Sequence, residues 1–262
     1  MNAISMMSRT EKNAEHKSYY DQRWDGFQYA NRLRLARCTA ILECLQATRI
    51  FEPRIIDLGC GSGWLTSILG VFGPAVGVDL SSHAVAQASK QHMHVSYRQA
   101  DILSMAIEDS SYDIVVSQEV LEHIPDQKRY LEIAGGLLRP GGFLILTTPN
   151  LGTFERLPKA QRDEWGQQPL ENKVTLAQLR MLLREAGFDV LRCTSIVPGY
   201  GLKGVFRILG SRKLAGAFDC IMGNGAFDRL SGRAGSGLHL LAFCQKSVQA
   251  APERANIKQT GS

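Results

Sequence analysis

Two rhythms of apolar residues alternate along this chain. Short runs, most of them rich in Ile, Val and Leu, recur at 54–58, 75–78, 112–117, 143–148, 188–196 and 238–246, and with the more polar 94–98 each predicts a strand. Between them, apolar positions return every three or four residues, as in a helix with one buried face. Over 27–45, for example, Leu33, Ala36, Ala40, Ile41 and Cys44 fall near one side. Further helices are predicted over 64–69, from Ser81 or Ser82 to 91, over 127–138, and from Thr175 to Gly187. Local punctuation supports these bounds. A serine can cap the third helix, Arg139-Pro-Gly-Gly142 stops the fourth, and Thr175-Leu-Ala-Gln178 forms a capping box. Strands alternating with helices predict an α/β fold whose sheet is mostly parallel and buried on both faces.

The rhythm breaks in two places. Residues 150–173 are polar, contain Trp165 and two prolines, and read as an insertion over a pocket mouth. Residues 198–237 are rich in glycine and mix basic with apolar side chains. The two ends, 1–17 and 249–262, are polar and predicted to be disordered. The expectation is one domain over 18–248 with two insertions, and the length of 262 residues suits that. No internal repeat is visible.

Composition narrows the function classes. The chain is 44% hydrophobic and 21% charged, enough for an ordinary core. A net charge of +5 is compatible with an anionic ligand or membrane surface but falls short of a dedicated nucleic-acid binder. The six cysteines are scattered, with no CxxC pair, so neither a zinc knuckle nor a disulfide framework is indicated. The start lacks a long apolar segment and no apolar run reaches a membrane span, which gives a cytoplasmic expectation.

The strongest chemical signal is Ile55-Ile-Asp-Leu-Gly-Cys-Gly-Ser-Gly63. Gly59, Gly61 and Gly63 follow a buried strand and precede a helix, where a tight turn lets a ligand approach the backbone. The spacing is G-x-G-x-G, not the G-x-G-x-x-G of dinucleotide enzymes, and Asp57 precedes the loop. Asp79 ends the second predicted strand and Asp101 follows the third. A carboxylate at such a strand end can accept both ribose hydroxyls of a nucleoside, and ligands of open α/β sheets bind at that edge.

These segments, with Val76–Ser81, Gln99–Ile102, Tyr112–Asp126 and Leu137–Asn150, resemble the class I S-adenosylmethionine-dependent methyltransferases in order and spacing. The resemblance is nearest to the branch with ubiquinone-biosynthesis O-methyltransferases and small-RNA 2′-O-methyltransferases, and it covers roughly residues 50–150. It implies a doubly wound, Rossmann-like sheet of seven strands in the order 3-2-1-4-5-7-6, with the last strand antiparallel, and a small lid. It also implies S-adenosylmethionine as cofactor. Asp57 and the loop residues Gly59, Cys60, Gly61 and Gly63 would hold its amino-acid end. Asp79, with Leu80, would take the ribose, Asp101 and Ile102 the adenine, and Gln118 would lie beside the methionine moiety.

An oxygen nucleophile gains from losing its proton, to a base or by metal coordination. The segment Glu119-Val-Leu-Glu122-His123 places three such groups just past the fourth strand. Spacing of i, i+3 and i+4 would bring them to one side of a helical turn. Three roles stay open. The branch named above uses this pattern for metal ligands, so Glu119, Glu122 and His123 could hold Mg²⁺, Mn²⁺ or Zn²⁺. His123, with Glu119, could instead act as a catalytic base without metal. Or the side chains could only cap and solvate the turn. The metal pattern is incomplete, because the family's further histidine before the helix at Thr175 is missing.

The expected acceptor is a small molecule, a quinone precursor, a sugar or a lipid-linked compound, methylated on oxygen. Phe154, Trp165 and Tyr200 are candidate pocket residues, and Tyr19–Trp24 a candidate cover for the cofactor. Residues 200–223 mix apolar side chains with Lys203, Arg207, Arg212 and Lys213, which suits a lid, a dimer contact or an anionic membrane. Aromatic and basic residues do not interleave densely enough to favour RNA. Two readings from other classes remain, a dinucleotide-dependent oxidoreductase and a cofactor-binding partner without turnover.

Overall fold

The computed structural model describes residues 31–105, 111–159, 171–198 and 235–247, with Arg162, Cys220, Met222 and Leu230. The expectations for 19–24, Trp165, Tyr200, 200–223 and the two termini lie outside the described residues. Seven strands are present: β1 (Ile55–Leu58), β2 (Ala75–Asp79), β3 (Ser96–Gln99), β4 (Tyr112–Gln118), β5 (Leu138–Pro149), β6 (Phe188–Pro198) and β7 (Gly237–Lys246). The described helices are α1 (Arg32–Ala47), α2 (Trp64–Leu69), α3 (Ser82–Gln91), α4 (Gln127–Leu137), α5 (Leu151–Phe154) and α6 (Leu176–Glu185).

The strands form one sheet in the order β3-β2-β1-β4-β5-β7-β6, as the resemblance implied. Pairs among β1 to β5 are parallel, while β7 runs antiparallel to both β5 and β6. Side chains alternate across the sheet, so each strand feeds two cores. Ile56, Val115, Leu144 and Leu240 pack with Tyr130 and Leu131 of α4 and with Leu179 and Leu183 of α6. Ile55, Ile114, Ile145 and Leu241 pack on the other side with Ile41 and Cys44 of α1 and with Leu65 and Leu69 of α2. Burial on both faces explains why β1 reads as an unbroken apolar run around Asp57.

The capping signals act as the pattern predicts. The side chain of Ser81 accepts from the Ala84 N–H at the start of α3. Thr175 and Gln178 complete their reciprocal box at the start of α6. Most bounds fall within two residues of the pattern, and three shifts of two residues or more in the strands are informative. Strand β3 starts two residues later than the pattern predicts. Strand β6 runs on to Pro198. Strand β5 begins at Leu138, because Leu138 pairs with Tyr112 before a register shift and the Arg139-Pro-Gly-Gly142 turn lies within the strand. All six cysteines are free thiols. Among the described residues, no helix is long and apolar enough to cross a membrane.

Candidate active site

The parallel strands leave their C-terminal ends along one edge of the sheet, and a cavity of about 540 Å³ opens there. The loop after β1 shapes its floor. Gly59 has φ of +75°, and a Cβ on it would stand 2.3 Å from Val120 Cγ2, so glycine is required on both counts. Gly63 has φ of +76° at the cap of α2, where a Cβ would meet the Tyr97 hydroxyl. Gly59 and Cys60 line the cavity itself, whereas Gly61 and Gly63 shape the turn behind it. The Cys60 thiol is partly buried, and burial pushes its pKa up, with Asp57 and Asp79 adding to the effect. It is an inert wall rather than a nucleophile.

The three acids reach the same cavity from adjacent strand ends. Asp57 is 2% exposed and accepts a 2.6 Å hydrogen bond from the Thr66 hydroxyl. Burial lifts its pKa to about 7, with the Thr66 bond opposing and the charge of Asp79 assisting. Asp79 accepts from the Gly61 N–H at 2.8 Å and from the Ser81 N–H at 2.9 Å. Those bonds fix the carboxylate plane. Asp101 accepts from the Leu103 N–H and the Ser104 hydroxyl, both at 3.0 Å. Leu80 and Ile102 add apolar wall beside them. Gln118, at the end of β4, also lines the cavity, and its buried Nε2 has no hydrogen-bond partner.

The segment after β4 does not form the predicted helical face. Leu121–His123 makes a single 3-10 turn, and Glu119 stands before it in the left-handed region, at φ of +56°. A short turn with Pro125 close behind cannot stack positions i, i+3 and i+4 on one side. Glu119 and the Glu122–His123 pair therefore take different hydrogen-bond partners. Glu119 Oε1 accepts from the Thr147 hydroxyl at 2.9 Å. Glu122 accepts from the Thr148 hydroxyl at 2.9 Å and is 2% exposed. His123 Nε2 lies 3.5 Å from Glu122 Oε1. All three still line the cavity.

Two residues that the sequence pattern did not single out complete this wall. His239, on β7, places Nδ1 2.8 Å from Glu119 Oε2. Arg37, on α1, reaches His239 Nε2 at 3.2 Å and lies 3.9 Å from Glu119 Oε2. Burial alone would raise the Glu119 carboxyl, but His239 and Arg37 outweigh it and hold the pKa down to about 2. Glu122 goes the other way. Burial, and then the charge of Glu119, push it well above the usual carboxylate range. The candidate Phe154 does not line the cavity and packs instead under Lys173, whose Nζ lies 4.2 Å from the ring centre.

This donor set does not fit a divalent cation. The near contacts of Glu119 go to His239 and Thr147, and the Arg37 guanidinium stands where positive charge would be placed. Among the described residues, no group of three or more His, Cys, Asp or Glu side chains is arranged to hold a metal ion.

A family model described as a methyltransferase domain matches residues 28–192. The chain belongs to this methyltransferase family. Among its relatives, a protein of Mycolicibacterium smegmatis named as a probable S-adenosylmethionine-dependent methyltransferase is 30% identical over 149 residues, covering 56% of each chain. A ubiquinone biosynthesis O-methyltransferase of Coxiella burnetii is 34% identical over 101 residues, 37% of this chain and 43% of that protein. The chain spans about half the length of the curated relatives it matches. Two solved methyltransferases share the fold. The N-methyltransferase NodS of Bradyrhizobium japonicum, in complex with S-adenosylhomocysteine, has a TM-score of 0.60 at 16% identity, over 88% of this chain and 98% of that one. An S-adenosylmethionine-dependent methyltransferase of Mesorhizobium loti has a TM-score of 0.56 at 19% identity, over 79% and 97%. Membership of the methyltransferase family replaces the oxidoreductase alternative.

Proposed function

We propose that this domain transfers the methyl group of S-adenosylmethionine to an oxygen of a small acceptor: a metabolite, a quinone precursor, a sugar or a lipid-linked compound. The observation that carries the reading is one cavity in which Asp57, Asp79 and Asp101 open onto the Glu119–His123 wall. The cofactor fits the residues present. In this reading Asp79 takes the ribose diol, Asp101 the adenine and the unused Gln118 Nε2 donor the methionine end, supported by their shared cavity and by the bonds that hold the two carboxylates. When bound, S-adenosylmethionine supplies a methyl group already activated on a sulfonium.

The chain's own task is then to orient the two partners and to receive a proton. The acceptor hydroxyl gives up its proton as its oxygen forms the new bond to carbon. We assign that proton to His123, at the cavity rim with Glu122 at 3.5 Å. Glu119, ionised beside Arg37 and His239, supplies fixed negative charge nearby. No metal enters this scheme, so chelation with EDTA is expected to leave the methyl-transfer rate unchanged. A rate restored only by added Mg²⁺, Mn²⁺ or Zn²⁺ would return Glu119 and Glu122 to the role of ligands.

The primary test is calorimetric titration with S-adenosylhomocysteine and, separately, NADH. Binding of the first alone is expected, followed by transfer of labelled methyl groups to a hydroxyl compound. NADH binding without S-adenosylhomocysteine binding would overturn the reading. Cofactor binding without turnover on catechols, quinols, sugars or lipid extracts would make the chain a binding partner instead.

A further inference from the structure

The cavity wall beyond Gln118 contains a cation that its neighbours use sparingly. Along the sheet edge, Asp101 follows β3, Asp79 ends β2, Asp57 lies in β1 and Gln118 ends β4. His239, on β7, lies further along the same line, past β5. Arg37, hydrogen-bonded to His239, therefore stands beyond the methionine end of the cofactor path, where an acceptor would meet the methyl group.

A guanidinium has five N–H donors and no acceptor. Among the described residues, Arg37 makes one hydrogen bond, from Nη1 to His239 Nε2. Arginine can only donate, so this bond uses one of its five N–H groups. The carboxylate does not take up the remaining donors. Its Oε2 is 3.9 Å from Nη1, beyond hydrogen-bond reach, and its near partners are His239 and Thr147. Arg37 Nε is buried with no partner, although the side chain is only 12% exposed. A guanidinium held this deep with most of its donors idle is costly unless something else completes it.

We propose that Arg37 binds an acidic oxygen group of the methyl acceptor, a carboxylate or a phosphate. This rests on the methyl-transfer reading and narrows its acceptor to an anionic compound. The planar donor fork of arginine matches such a group in a way the point charge of lysine does not. His239 holds the guanidinium in place through Nη1, and Arg34, one turn away on α1, lines the same side of the cavity.

The test uses the full chain loaded with S-adenosylhomocysteine and three probes of one shape: 4-hydroxybenzoate, 4-hydroxyphenyl phosphate and uncharged 4-hydroxybenzamide. Calorimetry is expected to show at least one anion binding about tenfold or more tighter than the amide. Whichever anion is preferred identifies the group. In Arg37→Gln that preference is expected to collapse while affinity for S-adenosylhomocysteine stays unchanged. If Arg37→Gln fails to fold, Arg37→Lys decides, and it is expected to lose most of the preference with cofactor affinity intact. Equal binding of amide and anions, a preference that survives the substitution, or no probe binding to the loaded protein would each overturn the proposal. Failure of the wild-type chain to bind S-adenosylhomocysteine would instead sink the methyl-transfer reading beneath it.

Discussion

Asp57 sits at a carboxyl pKa where ligand binding and protonation compete. Its pKa is lifted from 3.8 to about 7 by burial, so near neutrality the empty site is divided between acid and carboxylate. In the proposed cofactor pose the α-ammonium would favour the carboxylate and expel the proton at lower pH. Affinity for S-adenosylhomocysteine is therefore expected to rise from pH 5 to about 7 and then level off, by no more than about tenfold per unit. The same shift has a sign for stability. A raised native pKa stabilises fully below 3.8, and that contribution is lost as pH climbs through about 7. Glu119 is the opposite case, since a depressed carboxyl stabilises above the usual range and loses that contribution as pH falls toward about 2. Asp57→Asn should flatten both the affinity profile and the melting temperature over the upper window, measured by calorimetry and thermal denaturation. Profiles that keep their slope in Asp57→Asn would assign the proton elsewhere. The position of Asp57 was legible in the sequence, because a single acid interrupts an apolar run before a glycine turn. Its burial against Thr66 was not, because that contact depends on how α2 folds back.

At the scale of elements, caps and hubs hold the site. The Thr175 and Gln178 box ties off α6, and Thr175→Ala is expected to cost about 1 kcal/mol in urea unfolding. Asn150 carries more. Its side chain donates to the carbonyls of Gly235 and Gly237 and to Thr153, and accepts from the Gly152 N–H. It thus joins the end of β5 to the entry of β7, two residues before His239. Asn150→Ala removes the donor of the buried Gly237 carbonyl and of the half-buried Gly235 carbonyl, and a loss of about 2 kcal/mol is expected. Because β7 carries His239, that variant should also weaken acceptor binding more than cofactor binding, a split that simple destabilisation does not produce. Helix bounds were readable where capping chemistry is local, as at Ser81 before α3 and at the Thr175 box before α6. Strand bounds drifted where pairing decides them. Leu138 joins β5 only because Tyr112 lies opposite, and no local pattern carries that information.

Across the whole molecule, the convergence of Asp57, Asp79 and Asp101 on one cavity could be read from the sequence, and the Arg37–His239 wall could not. The acids follow consecutive strands, so their order along the chain is their order in space. Arg37 and His239 are 202 residues apart and meet only because β7 returns antiparallel beside β5. The family resemblance puts a further histidine before Thr175, whereas the histidine beside Glu119 comes from β7 and meets an arginine. Deletion of residues 237–262 should remove His239 and expose the paired edges of β5 and β6 together. Loss of soluble yield is the expected outcome. A soluble truncated chain that still binds S-adenosylhomocysteine would show that cofactor binding does not require β7.

The placement of β7 also bears on how the protein is made. A ribosome releases β6 before β7, yet β7 must enter between β5 and β6. The nascent sheet therefore cannot grow outward strand by strand. The growing chain must either leave a gap beside β5 or pair the two edges wrongly and part them later. Chaperone contact late in synthesis, when the sequence through Pro198 has emerged and His239 has not, is the window in which this order would matter most.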